Sequence, residues 1–235
     1  MSGPALTLSF HDTAHELHGT VRSGMTLLFD AGAPRSVDVE AAFERAGDGW
    51  NATVGDEAAL TFAASAPGVD LGGVSAWIGR VTGRVGSRGL DCIGVATETT
   101  DPPAWAELDA LRSVAAVFDE GNAVLVLAQR PRGAYGHGDE RVRGWILRDG
   151  EPFAIEDARI STVYDGDGRQ RKAGLELWMP GEDFPRRTSG SARAGASITL
   201  EGLRVHAAVF DWRMEGRDGV GGYDIVVREQ QPAAA

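Results

Sequence analysis

The chain has 235 residues, enough for one large all-β domain or two smaller ones with a real core and no covalent staples. Its formal charge of −11 excludes a nucleic-acid backbone or an anionic membrane surface as main partner, because both repel acid. A single cysteine, Cys92, excludes an intrachain disulfide and any multi-thiolate zinc site.

The N-terminal segment MSGPALTLSFHD has no basic leader region, and no apolar run approaches the roughly 18 residues of a membrane span, so a cytoplasmic protein is expected. ALTLSF opens a series of short apolar runs that continues through MTLLFD, SVDVEAAF, GWNATV, ALTFAAS and SAWIGRVTG. Gly, Asp, Asn or Pro separates them, and the chain carries 32 glycines, which is the pattern of antiparallel sheets in a sandwich or barrel.

HDTAHELHG gathers His11, His15 and His18 around Glu16. The spacing is not that of a zinc-binding helix. Read as one continuous strand, it puts His11 and His15 on one face and His18 on the other. Three ligands then do not converge, and an exposed polar hairpin is expected. Cys92 lies in the apolar run LDCIGV and reads as a buried, inert thiol.

DPPAWAELDALR predicts the one short helix, Pro102 to Arg112, with Asp101 as N-cap, Pro102 at the first helical position, and Trp105, Leu108 and Leu111 on one face. It divides the chain into an N-terminal β half over 1–100 and a C-terminal β half over 101–230, with 231–235 as a frayed tail. No strong internal sequence repeat is visible.

Beyond the helix, DEGN, RDGE and DGDG read as hairpin turns between further strand-like runs. GAYGHGDE places His137 and Asp139 in a glycine-rich loop that lacks the lysine and serine of a phosphate-binding loop and suits the rim of a pocket. In LRVHAAVFDWR, His206, Phe210 and Trp212 share one strand face, and Val205, Val209 and Asp211 share the other. Both faces carry bulk, which predicts a central strand. In FDWRMEGRDGVGGYDIVVRE, Gly216 to Gly222 is expected to form the turn. Glu215 and Asp218 then go to solvent, and either Asp211 or Asp224 is left to point inwards. Aromatic residues on strands suit an apolar cavity, with plain core packing as the simpler alternative for each tryptophan.

Four landmarks resemble the carotenoid hydratase, or hydroxyneurosporene synthase-like, superfamily. They are Gly86-Ser87-Arg88-Gly89-Leu90-Asp91-Cys92, Trp105, the strand and turn Gly144-Trp145-Ile146-Leu147-Arg148-Asp149-Gly150, and the closing hairpin. Family members often carry Arg-Asp-His-Ser-Trp-Gly where this chain reads Arg88-Gly89-Leu90-Asp91-Cys92-Ile93-Gly94. The expected acid–imidazole pair is thus reduced to Asp91.

The resemblance implies two lipocalin-like β-barrel halves and a cavity for a small hydrophobic, isoprenoid- or polyketide-like molecule, with no cofactor. It also implies cofactor-free acid chemistry of the hydratase, cyclase or isomerase type. That chemistry needs a carboxyl kept neutral by an apolar wall, and Asp91, Asp211 and Asp224 are the expected catalytic acids. Trp77, Trp105, Phe210, Trp212 and Tyr223 form the expected ligand wall, with His137 and Arg88 as polar ligand contacts, a structural salt bridge being the equal alternative for Arg88. A non-catalytic carrier or sensor, and a carbohydrate-binding sandwich with exposed tryptophans, are the competing readings.

Overall fold

The computed structural model describes residues 5–135, 139–200 and 202–228. His137 lies outside these residues. The first ten strands are β1 (Ala5–Asp12), β2 (Leu17–Arg22), β3 (Met25–Asp30), β4 (Ala33–Val37), β5 (Ala42–Ala46), β6 (Gly49–Val54), β7 (Ala58–Ala64), β8 (Val69–Asp70), β9 (Val74–Val85) and β10 (Arg88–Thr99). The remainder are β11 (Leu108–Val117), β12 (Ala123–Pro131), β13 (Arg141–Arg148), β14 (Glu151–Ala154), β15 (Asp157–Tyr164), β16 (Gln170–Trp178), β17 (Arg186–Leu200), β18 (Leu203–Met214) and β19 (Arg217–Arg228).

They form two antiparallel sheets, each curled into a half-barrel, and the two share one topology. The first runs β4-β3-β2-β1-β10-β9-β7-β6-β5, with β8 paired to β9, and the second runs β14-β13-β12-β11-β19-β18-β17-β16-β15. In each, the first strand of the half pairs with its last strand, and the meander spreads outwards from that central pair. The repeat is one of topology and has no counterpart in the residues. The all-β, two-half lipocalin-like architecture expected from the sequence is present. Among the described residues no helix is long and apolar enough to cross a membrane.

The expected helix is a single 3-10 turn, Trp105–Glu107. From Leu108 the chain is strand, and its burial alternates: Leu108, Ala110, Arg112, Val114 and Ala116 point into the half-barrel. A period of two therefore overrides the helical spacing of Trp105, Leu108 and Leu111, because β11 is zipped between β12 and β19 on both edges.

Turn chemistry is legible where two residues suffice. Asp149 and Gly150 have φ of 50° and 83°, and Glu215 and Gly216 have 51° and 81°. Both pairs are positive, as the twist-matched two-residue hairpin requires. The closing turn is thus Glu215–Gly216, much shorter than the expected Gly216–Gly222. Gly219 and Gly221 lie within β19, where an added Cβ would sit 2.6 Å from the Val117 carbonyl oxygen and 1.8 Å from that of Ala115. These glycines admit β11 at close range.

Each half-barrel has its own core. Phe10, Leu28, Trp50, Leu60 and Phe62 fill the first, and Val126, Leu175, Leu177, Phe210, Trp212 and Tyr223 fill the second. Two more clusters join the halves through their convex faces. Val69, Ile78 and Val95 meet Val117, Leu125 and Leu147, while Leu27 and Phe29 meet Ala194, Val205, Ala207 and Val209. This is why β18 carries bulk on both faces. Each large apolar side chain buried there contributes about 1.5–3 kcal/mol. Polar bridges cross the same seam: Trp145 Nε1 donates to the Asp70 carbonyl at 2.8 Å, and Arg22 pairs with Asp224 at 2.5 Å.

Candidate functional site

The inward row of β11 reads Leu108, Ala110, Arg112, Val114, Ala116, so an arginine occupies an apolar register. Its guanidinium is buried. One terminal nitrogen donates to the Ile160 carbonyl of β15 at 2.9 Å, and the other makes a very short contact with Glu140. The two side chains are 3% and 2% exposed, the driest ion pair among the described residues. Arg130 approaches the same carboxylate at 3.4 Å.

Tyr223, on β19, reaches the Thr162 hydroxyl at 2.6 Å. Burial pushes the phenol up, with Arg112 beside it pulling the other way, so the group stays neutral. Burial also works against the charge on Arg112, but Tyr223 and Glu140 together outweigh it and hold the guanidinium above its ordinary value.

In the same half-barrel Arg112 Nε, Trp212 Nε1 and Thr188 Oγ1 are among the buried polar atoms without a protein partner. Each costs about 1–3 kcal/mol unless something satisfies it. Gly190 sets the pose of Trp212, since a Cβ there would lie 2.5 Å from the indole. The indole instead lies across the glycine and stacks on Phe210, with centroids 5.0 Å apart.

A groove of about 830 Å³ runs along β15, β16 and β17 and includes Glu140, Ile160 and Thr188 in its wall. It touches no described residue of β11, β12, β18 or β19, so it lies along one side of the half-barrel. The interior itself is filled, for Phe210, Trp212 and Tyr223 are at most 1% exposed. The groove and the dry ion pair therefore meet at Glu140 and Ile160. Small residues, Ser161, Gly174 and Ser189, keep it open, and Arg159, Glu176 and Arg187 rim it.

Of the residues singled out in the sequence, Phe210, Trp212 and Tyr223 come together, and they form a packed core instead of an open wall. The three acids do not converge. Asp91 is exposed on the convex face of β10, 2.6 Å from Arg80, whose hydrogen bond holds its carboxyl below the usual carboxylate range. That is the reverse of the neutral acid the chemistry needs. Asp211 is exposed and pairs with Arg193 at 2.8 Å, and Asp224 faces the other half through Arg22. Period two explains all three, since each lies one residue from an inward-facing neighbour.

Trp77 sits inside the first half, 4.8 Å from Trp50. Trp105 is on the linking turn, its carbonyl accepting from Arg228 at 2.9 Å. Arg88 is exposed, pairs with Asp30 at 2.7 Å, and borders a separate groove of about 600 Å³ beside β3. Trp50 and Trp212 are buried, and Trp77, Trp105, Trp145 and Trp178 are half-buried.

His11 and His18 also depart from expectation. A turn separates their strands, so they are direct cross-strand partners, and both are buried. Among the described residues no group of three or more His, Cys, Asp or Glu side chains is placed to hold a metal ion. Sequence reasoning missed Arg112, Glu140, Thr162 and Thr188. An arginine at an inward position of LDALRSVAAV was the available signal, and the helical reading hid it.

No family model matches the sequence, and no curated protein matches it by sequence. Solved structures do match. A protein assigned as AttH from Nitrosomonas europaea superposes with a TM-score of 0.65 at 9% identity, over 95% of this chain and 92% of the other. Kievitone hydratase from Nectria haematococca superposes with a TM-score of 0.59 at 10% identity, over 97% and 90%. At these identities the likeness establishes a shared two-half lipocalin-like fold.

Proposed function

We propose that the protein binds a small, largely apolar molecule in the groove along β15–β17, with the molecule's polar end at Glu140, and that it acts as a carrier or sensor. The observation that carries this reading is the meeting of the groove with the Arg112–Glu140 pair. A desolvated carboxylate, held in place by a guanidinium that also ties down the edge of β15, offers a fixed acceptor at the wall of an apolar trough. The groove's volume falls within the range of small-molecule sites, roughly 300–1,000 Å³.

Binding is preferred to alkene hydration, cyclisation or isomerisation because an acid catalyst must be neutral and strongly acidic. The carboxylates at hand are ion-paired, and the phenol of Tyr223 is pushed up, which makes it a hydrogen-bond donor and a weak acid. Kinship in fold with a hydratase supports a small-molecule role and does not supply the chemistry.

The test fills the groove. Ser189 is exposed at its wall, so Ser189→Trp should leave the melting temperature unchanged and lower affinity for the fluorescent amphiphile anilinonaphthalene sulfonate at least tenfold. Native mass spectrometry of the purified protein should show a co-purified small molecule in the parent and less of it in the variant. Unchanged dye binding together with no bound mass in the parent would sink the reading.

A further inference from the structure

The seam between the half-barrels contains a feature that ligand binding does not use. The cross-strand row Ile93–His11–His18–Phe29 runs over β10, β1, β2 and β3 on the convex face of the first half. Its ends, Ile93 and Phe29, pack into the apolar cluster contributed by Ala194, Ala207 and Val209 of the second half. The two histidines between them are 4% and 1% exposed, their ring centroids are 5.8 Å apart, and none of their four ring nitrogens has a hydrogen-bond partner. Neutral imidazoles tolerate that position, and two imidazolium ions side by side would not.

We propose that this seam is an acid-labile joint: in mild acid, protonation of His11 and His18 favours a form in which the two half-barrels part at the apolar cluster that holds Phe29 and Ala207.

The charges facing the pair come from every neighbouring element. His11 faces His18. His18 feels Arg193 from β17, Asp211 from β18, Asp12 from β1 and Glu16 from the turn. Arg22 and Asp224 form the salt bridge that crosses the same seam. Burial, reinforced by His18, pushes His11 down to about 3, and burial, reinforced by Arg193, also lowers His18.

The sign follows from linkage. In the closed form both imidazoles resist protonation, His11 down to about pH 3. Once exposed, they take them up near the ordinary value of about 6.5. The closed form is therefore fully favoured above that value and loses ground as pH falls towards the lowered one. Below about pH 6.5 each histidine multiplies the opening constant by up to about tenfold per pH unit, so the two raise it at most about 10³-fold between pH 7.5 and 5.

A buried thiol at the seam reads the opening. Ala207 is 4% exposed in the joining cluster, and Ala116 is fully buried in the second core. In a Cys92→Ser background, Ala207→Cys should be trapped by dithiodipyridine much faster at pH 5 than at 7.5, after correction for the free thiol. Ala116→Cys should stay protected, which separates parting from unfolding. Adding His11→Phe and His18→Phe should abolish the acceleration, and His206→Gln should not. Val209→Cys is the second reporter if Ala207→Cys fails to fold. Equal trapping at both pH values, or an equal rise in the histidine-free variant, overturns the proposal. Loss of groove binding in Ser189→Trp would leave it untouched.

Discussion

Replacing Arg112 by leucine tests the site's most specific claim, that a dry ion pair is held rigid at the groove. The substitution leaves Glu140, 2% exposed, without its main partner, and frees the Ile160 carbonyl. Breaking a buried pair costs about 3–5 kcal/mol, and an orphaned carbonyl about 1–3 more. Arg130, 3.4 Å from the same carboxylate, offsets part of this. A net loss of about 3–5 kcal/mol is expected, a fall in melting temperature on the order of 10 °C for a chain of this size. The double variant Arg112→Leu, Glu140→Leu removes both charges and should recover at least about 2 kcal/mol relative to the single one. Urea unfolding, followed by tryptophan fluorescence and by circular dichroism with coincident transitions, measures both. A single variant costing under about 1 kcal/mol, or a double variant no more stable than the single one, would refute the reasoning.

Other outcomes follow from the same packing. Gly221→Ala should destabilise more than Gly190→Ala, because the added methyl meets the Ala115 backbone oxygen in one case and the Trp212 side chain in the other. Thermal melts rank them, and only Gly190→Ala should shift the Trp212 emission. Asp91→Asn should change stability by no more than about 0.5 kcal/mol and leave dye binding intact, since Asp91 is an exposed partner of Arg80. An affinity loss would return it to the site. Burial pushes the Cys92 thiol up to about 12, so at pH 8 about one thiol in 10⁴ is ionised. Iodoacetamide should label it slowly in the native protein and quickly in urea.

Period-two hydrophobicity and glycine punctuation were enough, read from the sequence, to give an all-β chain, because strand alternation and positive-φ turns are local physics; the two halves came from the resemblance and from a helix that is a single 3-10 turn. Asp149–Gly150 is legible for the same reason. Residue parity failed wherever a turn intervened or a strand had two buried faces. His11 and His18 look opposed along a continuous strand and become partners once residues 13–16 reverse the chain. Asp211 and Asp224 lie within strands, yet both sit on the convex face, where Asp224 meets Arg22 of the other half and Asp211 is exposed beside Arg193 of its own.

Arg112, Glu140, Thr162 and Tyr223 come from four separate segments, and their meeting depends on β15 closing the far edge of the second sheet. Spacing along the chain carries no information about that closure. The sequence by itself determined the all-β class, most of the strands and several of their turns. The tertiary structure decided which buried face meets which partner, and so where the charged pair, the groove and the histidine seam lie, because those contacts join residues dozens to hundreds of positions apart.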